Sequence, residues 1–160
     1  MQAFVHPGFD INSRGVKECT LLHDALICGL EMMRYILQLE GGTKLVNART
    51  SEGFTPLHSV SRPQVKHAWA KSEIEWLLQH GADIYARNNC GNTPAHFFIA
   101  MGEFEWLQVL LDAGFDLQTR GQGGKTVLHT AIHGGGVGPV EHLLELPGGR
   151  QLMEVEDNYG

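Results

Sequence analysis

No stretch of this 160-residue chain approaches the roughly 20 consecutive apolar residues that a membrane-spanning helix requires, so no such helix lies within it. The opening Met1-Gln-Ala-Phe-Val-His-Pro7 lacks the basic-then-apolar order of a secretory leader. Cysteine is scarce: Cys19, Cys28 and Cys90 are odd in number, widely spaced and free of any C-x-x-C pair. That argues against a disulfide framework and for free thiols in a reducing, intracellular compartment, cytoplasm or nucleus. Positive charge is also short, with 12 Lys and Arg against 18 Asp and Glu, a net charge of −6 and a pI near 5.8. Binding to a nucleic-acid backbone asks for the opposite sign. Charged residues amount to only 19% against 42% hydrophobic, which excludes a mostly disordered tail. The length suits one ordinary domain or a short array of smaller units.

Glycine (20) and histidine (9) are instead plentiful, and both fall on a repeat. Four segments align: Thr20-Leu-Leu-His23, Thr55-Pro-Leu-His58, Thr93-Pro-Ala-His96 and Thr126-Val-Leu-His129, their histidines spaced 35, 38 and 33 residues apart. A glycine stands two residues before three of the threonines, at Gly53, Gly91 and Gly124. Downstream, the apolar pairs Ile36-Leu37, Leu77-Leu78, Leu110-Leu111 and Leu143-Leu144 close a second helical stripe in each unit. Two units then continue with Gly-x-Asp-apolar, at Gly81 to Ile84 and Gly114 to Leu117. The chemistry of each position fits its place. Threonine caps a helix start, and proline at the first helical position gives up an N–H that the helix does not use. The preceding glycine takes a positive φ in a tight turn.

The Thr-Pro-Leu-His turn (Thr55, Pro56, Leu57, His58; Thr93, Pro94, His96; Thr126, His129; Thr20, His23) and the Leu77-to-Asp83 stretch resemble the ankyrin repeat. The resemblance covers essentially the whole chain. It implies an all-α solenoid of helix–turn–helix units with short β-hairpin fingers, neighbouring units sharing one core. The implied bounds are a partial repeat at 1–12, repeats at 13–48, 49–86, 87–119 and 120–155, and the start of a truncated repeat at 156–160. Gly8-Phe-Asp-Ile-Asn12 reads as the tail of a preceding unit, and the chain reads as part of a longer array.

The units differ. Repeats one and four share a longer ending, Leu37-x-Leu-x-Gly41-Gly42-x-x-Leu45 matching Leu144-x-Leu-x-Gly148-Gly149-x-x-Leu152. Repeat two carries about five extra residues, with Arg62, His67 and Trp69, in a connection of the kind that extends from one face of a solenoid. Repeat one has Glu18 where the turn glycine belongs, so an irregular first finger is expected. Trp76 and Trp106 sit beside leucines on helical stripes and are expected in the core.

Signals for catalysis are weak. His129 and His133 have a zinc-compatible spacing of four residues, but Thr130 replaces the glutamate of a zinc protease and no further ligand is near in sequence. Gly121-Gln-Gly-Gly-Lys-Thr126 resembles the end of a phosphate loop but has Thr119 where the first glycine is required. Gly134 to Pro139 lies where a turn between helices is due, with Pro139 suited to start the second helix. Neither cysteine in a finger has a neighbour that lowers a thiol pKa. The expectation is no enzyme activity, no metal and no cofactor.

Arg14, Arg49, Arg87 and Arg120 each stand six residues before their threonine, so stacking brings them into one column, with Glu156 at the fifth equivalent position. Such a column is either ordinary solvated surface or a cationic strip suited to carboxylate-rich or phosphorylated partners. By the resemblance, contacts to a protein partner come from finger positions and first-helix ends: Arg49, Ser51, Glu52, Phe54; Arg62 and Trp69; Arg87, Asn89, Cys90, Asn92; Met101; Arg120, Gln122, Lys125 and His133. The partner is expected to be a protein, not nucleic acid or membrane, bound by a monomer on a concave surface. The other reading is a targeting or regulatory segment of a larger enzymatic or signalling protein.

Overall fold

The structure, a computed structural model, describes residues 10–61 and 67–160, and of 67–69 the backbone alone. Expectations attached to Gly8, Phe9, Arg62 and the Trp69 side chain therefore lie outside the described residues. Among the described residues eight α-helices form four pairs: α1 (Leu21–Cys28) and α2 (Leu30–Gln38), α3 (Pro56–Ser59) and α4 (His67–Gln79), α5 (Pro94–Ala100) and α6 (Phe104–Asp112), α7 (Val127–Thr130) and α8 (Val137–Glu145). The first helices touch in chain order, α1 on α3, α3 on α5 and α5 on α7. Behind them α2 packs on α4 and α4 on α6, which makes a second layer.

Helices of four to thirteen residues are marginal on their own, and their stability comes from the apolar stripe each buries on its neighbours. One continuous cluster runs through the stack, from Leu22, Leu26 and Met33 through Leu57, Ile74 and Leu77 to Phe98, Ile99, Leu107, Leu110, Leu143 and Leu152, every one at most 1% exposed. Trp106 is buried in it, edge-on to Phe98, whereas Trp76 is half-buried and stacks on His80. Among the described residues no helix is long and apolar enough to cross a membrane.

The described residues form no strand. Each finger is a tight turn whose ends are joined by the same backbone hydrogen bond: Gly15 N–H to Cys19 O (2.8 Å), Thr50 to Phe54 (2.9 Å), Asn88 to Asn92 (2.9 Å) and Gly121 to Lys125 (2.6 Å). The first finger closes with the same hydrogen bond but carries the expected irregularity, with Lys17 and Glu18 both left-handed at φ +57 and +59. Glu18 takes φ +59 where Gly53, Gly91 and Gly124 take +79, +90 and +76, so a residue with a Cβ occupies a left-handed position that glycine fills without strain.

The matched endings of repeats one and four are geometric copies. Gly41 and Gly148 have φ/ψ of 81/−5 and 80/−5, and each leads into a 3-10 turn that buries Leu45 or Leu152. The glycine that follows touches backbone directly: a Cβ on Gly42 would collide with the Ile36 carbonyl, and one on Gly149 with the Leu143 carbonyl. Between the last two helices a π-helical turn, Ala131–Gly135, replaces a simple loop, and α8 starts at Val137 rather than at Pro139. Pro139 still sits in the first turn, where helix N–H groups have no partner to lose.

Glu73, in α4, is 1% exposed, and its Oε2 has no hydrogen-bond partner among the described residues. Burial raises its pKa to about 7.

Candidate protein-binding surface

The surface is built on a hydrogen-bond relay that begins with the repeat histidine. In every unit the Thr backbone N–H donates to the His Nδ1 at 3.2–3.3 Å, and the Thr hydroxyl lies 2.8–2.9 Å from the same nitrogen. Because a backbone N–H only donates, Nδ1 must accept, which leaves the proton on Nε2. That Nε2–H donates across to the next unit: His23 to Phe54 O at 3.0 Å, His58 to Asn92 O at 3.1 Å, His96 to Lys125 O at 3.1 Å. His23, His58 and His96 are all at most 2% exposed, whereas His129, which has no following carbonyl among the described residues, is half-buried. Burial lowers the His58 pKa to about 4, against a smaller upward pull from the Asn92 carbonyl, and burial also lowers that of His96.

The arginine column forms a second relay on the fingers. Arg14 donates to Arg49 O at 2.8 Å, Arg49 to Arg87 O at 2.6 Å, Arg87 to Arg120 O at 2.5 Å and Arg120 to Glu156 O at 2.7 Å. Arg14, Arg87 and Arg120 also reach carbonyls in their own fingers, at Glu18, Gly91 and Gly124. Each guanidinium thus clasps one finger to the next. All four side chains are nonetheless exposed, and none is paired with a carboxylate among the described residues. A guanidinium has five N–H donors, so each retains donors toward solvent.

The finger tips lock in the same sense. Ser51 donates through N–H and Oγ to Lys17 O, and the Asn89 N–H and Nδ2 reach Glu52 O and Ser51 O. Asn92 Oδ1 accepts from the Gln122 N–H, and the Asn158 N–H donates to Gly123 O. Lys17 and Glu52 form an ion pair at 2.8 Å between the first two tips. Of the residues read from the sequence as partner contacts, Arg49, Ser51, Glu52, Arg87, Asn89, Cys90, Met101, Arg120, Gln122 and His133 are exposed, while Phe54, Asn92 and Lys125 are half-buried. Lys125 Nζ lies 3.4 Å from His133 Nε2, which places two basic groups together on the last finger and the end of its first helix.

Sequence reasoning passed over a pocket of about 260 Å3 between the first two fingers and the first helices behind them. Half-buried Phe54 and Phe97 line it with ring centroids 5.1 Å apart, and His58 stands edge-on to both. Lys17, Cys19 and Ser59 also line it. The available signal was Phe97 itself: the residue after the repeat histidine is Asp24, Ser59 or Thr130 elsewhere and an aromatic only here.

The other candidates are absorbed by the fold. His133 Nδ1 is bound to His129 O at 2.8 Å and His129 Nδ1 to Thr126, so the two rings point their nitrogens at different partners. Gly121-to-Thr126 is the fourth finger, with Gly121 pressed on His96 and Gly124 on Asn158. Among the described residues no group of three or more His, Cys, Asp or Glu is placed to hold a metal ion.

Short helix pairs stacked in one direction, each joined to the next through the same side chains, define a helical repeat array. The particular family follows from comparison. Residues 52–89 match the family described as "Ankyrin repeat" and residues 71–111 the one described as "Ankyrin repeats (many copies)". Residues 52–111 thus match ankyrin repeats, which are protein-interaction modules. Its relatives include two Arabidopsis thaliana ADP-ribosylation factor GTPase-activating proteins, AGD2 (40% identical) and AGD4 (36%), each over 73 residues that make up 46% of this chain and 9% of the relative. A Caenorhabditis elegans transient receptor potential cation channel subfamily A member 1 homolog is 28% identical over 145 residues, 90% of this chain and 11% of the relative. The chain spans about a tenth of the length of these relatives.

Proposed function

We propose that the chain is a non-catalytic, intracellular recognition module that holds a protein partner against its finger tips and first helices, and that it favours acidic or phosphorylated segments. The observation that carries this reading is the arginine column. Four exposed guanidiniums, spaced one repeat apart and free of carboxylate partners among the described residues, stand on a chain whose net charge is −6. Their links to neighbouring carbonyls hold them in place, so little side-chain entropy is lost when an anion binds, and the remaining donors suit carboxylate or phosphate oxygens. Lys125 and His133 extend the basic character to the last unit. The four repeats at 13–48, 49–86, 87–119 and 120–155, with finger turns in place of hairpin strands, are the frame we propose for this surface.

The test uses an array of acidic and phosphorylated peptides, probed with the chain and with a triple variant, Arg49→Gln, Arg87→Gln and Arg120→Gln. Glutamine keeps an amide donor for the neighbouring carbonyl and removes the charge. The expected result is loss of peptide capture with an unchanged circular dichroism spectrum; undiminished capture refutes the acidic preference. A second reading, a regulatory or targeting segment of a larger protein, is favoured by the small share of each relative that the match covers. Deleting the corresponding segment from the full gene product and following its location separates the two.

A further inference from the structure

We infer that the pocket between the first two fingers is the anchor point of this surface and takes one aromatic side chain with a polar tip, a tyrosine, from an extended segment of the partner protein. The inference rests on the recognition reading and adds what the partner must carry. Three features of the pocket select the occupant. Phe54 and Phe97, half-buried and 5.1 Å apart, offer ring faces and edges to a third ring, while His58, held by its bonds to Thr55 and Asn92, keeps that wall fixed. At the rim, Lys17 and Glu52 satisfy each other at 2.8 Å, so a charged side chain entering here would have to compete with that pair, whereas a neutral one leaves it intact. Ser59 supplies the polar element. It is 2% exposed, lines the pocket, and its hydroxyl bonds to no other described residue, so it is satisfied from the open pocket. An occupant that fills the pocket takes solvent away from that hydroxyl, and a phenol, which both donates and accepts, replaces the lost partner while its ring fills the apolar space. Leucine or phenylalanine leaves Ser59 unmatched, and a carboxylate disrupts the rim.

The same chemistry is missing at the equivalent positions of the other units, where Cys19, Asn92 and Lys125 replace Phe54, and Asp24, Ser59 and Thr130 replace Phe97. One anchor beside a column of cations predicts a motif with a single fixed tyrosine among acidic residues.

The experiment is selection of a phage-displayed random-peptide library on the purified chain, followed by affinity measurement of the enriched peptides on three variants. Phe97→Thr installs the residue that repeat four carries at the same position, so the helix is not expected to be disturbed. Ser59→Ala removes only the hydroxyl. The triple arginine-to-glutamine variant removes the column's charge. Enriched peptides are expected to share one tyrosine, to lose about tenfold or more of their affinity on Phe97→Thr, and on Ser59→Ala to bind no better than their tyrosine-to-phenylalanine analogues. Peptides without a fixed tyrosine, or with unchanged affinity on Phe97→Thr, overturn the pocket assignment. If they nevertheless fail on the triple variant, the acidic-partner reading survives alone; enrichment of nothing on the unmodified chain overturns both.

Discussion

Acid should loosen this stack through its histidines, and His58 gives the size of the effect. In the fold its Nδ1 accepts from Thr55 and its Nε2–H donates to Asn92, so a second proton displaces the Thr55 N–H bond and places a charge in a buried site. The pKa is about 4 in the fold against 6.5 for a free histidine. The unfolded chain therefore takes up the proton first, and the stabilisation is complete above about pH 6.5 and lost as pH falls toward about 4. The gap is worth about 3 kcal/mol from His58 alone, a large fraction of a small domain's stability. The perturbation is His58→Gln, which keeps a donor near Asn92 O and cannot titrate. Urea denaturation of both chains between about pH 7.5 and about pH 4.5 gives two stability profiles. The variant starts lower because the Thr55 N–H loses its acceptor, but its loss on acidification should be smaller by about 3 kcal/mol. Parallel profiles would refute the assigned protonation state.

Glu73 pulls the other way. Its carboxyl, protonated up to about pH 7 in the fold against 4.5 when free, stabilises at low pH, and that contribution is lost as pH rises through 7. Glu73→Gln should remove this slope and raise stability by about 3 kcal/mol above pH 8, read by the same denaturation series. Glu18→Gly should stabilise by about 1 kcal/mol by relieving the left-handed backbone at φ +59, visible as a higher thermal midpoint. Gly149→Ala should cost about 3 kcal/mol or more, because its Cβ meets the Leu143 carbonyl, part of a helix that cannot step aside.

Spacing made the frame legible, because a stacked array repeats its contacts at the interval of its sequence. The four histidines, 35, 38 and 33 residues apart, hold one place in their units, and the first three carry the bonds to the next unit. The shared Gly-Gly endings of repeats one and four likewise predicted two matching turns. The arginine spacing placed the column correctly but not its partners, since carbonyl acceptors leave no trace in side-chain identity. The irregular first finger was legible from Glu18 in a glycine's place: Lys17 and Glu18 are both left-handed there, held by the hydrogen bonds of Arg14 to Glu18 O and Arg49 O. Strands were expected in the fingers, and the finger turns are too short to form a ladder. Phe97 and Ser59 were passed over because a residue beside the repeat histidine reads as ordinary helix surface until its neighbours across two units are known. Glu73 was invisible for the same reason: a glutamate on a helical stripe signals solvent, and only the packing of α4 shows it buried.

The claim beneath all of this is that each unit is fastened to the next by a neutral histidine whose Nε2–H reaches a carbonyl across the junction. Long-range 1H–15N correlation of the histidine rings measures it directly. The account predicts Nε2–H tautomers at His23, His58 and His96, protected from exchange, and an exchanging ring at His129. Nδ1–H tautomers at those three positions, or His58 and His96 rings that gain a proton near pH 6.5, would contradict it.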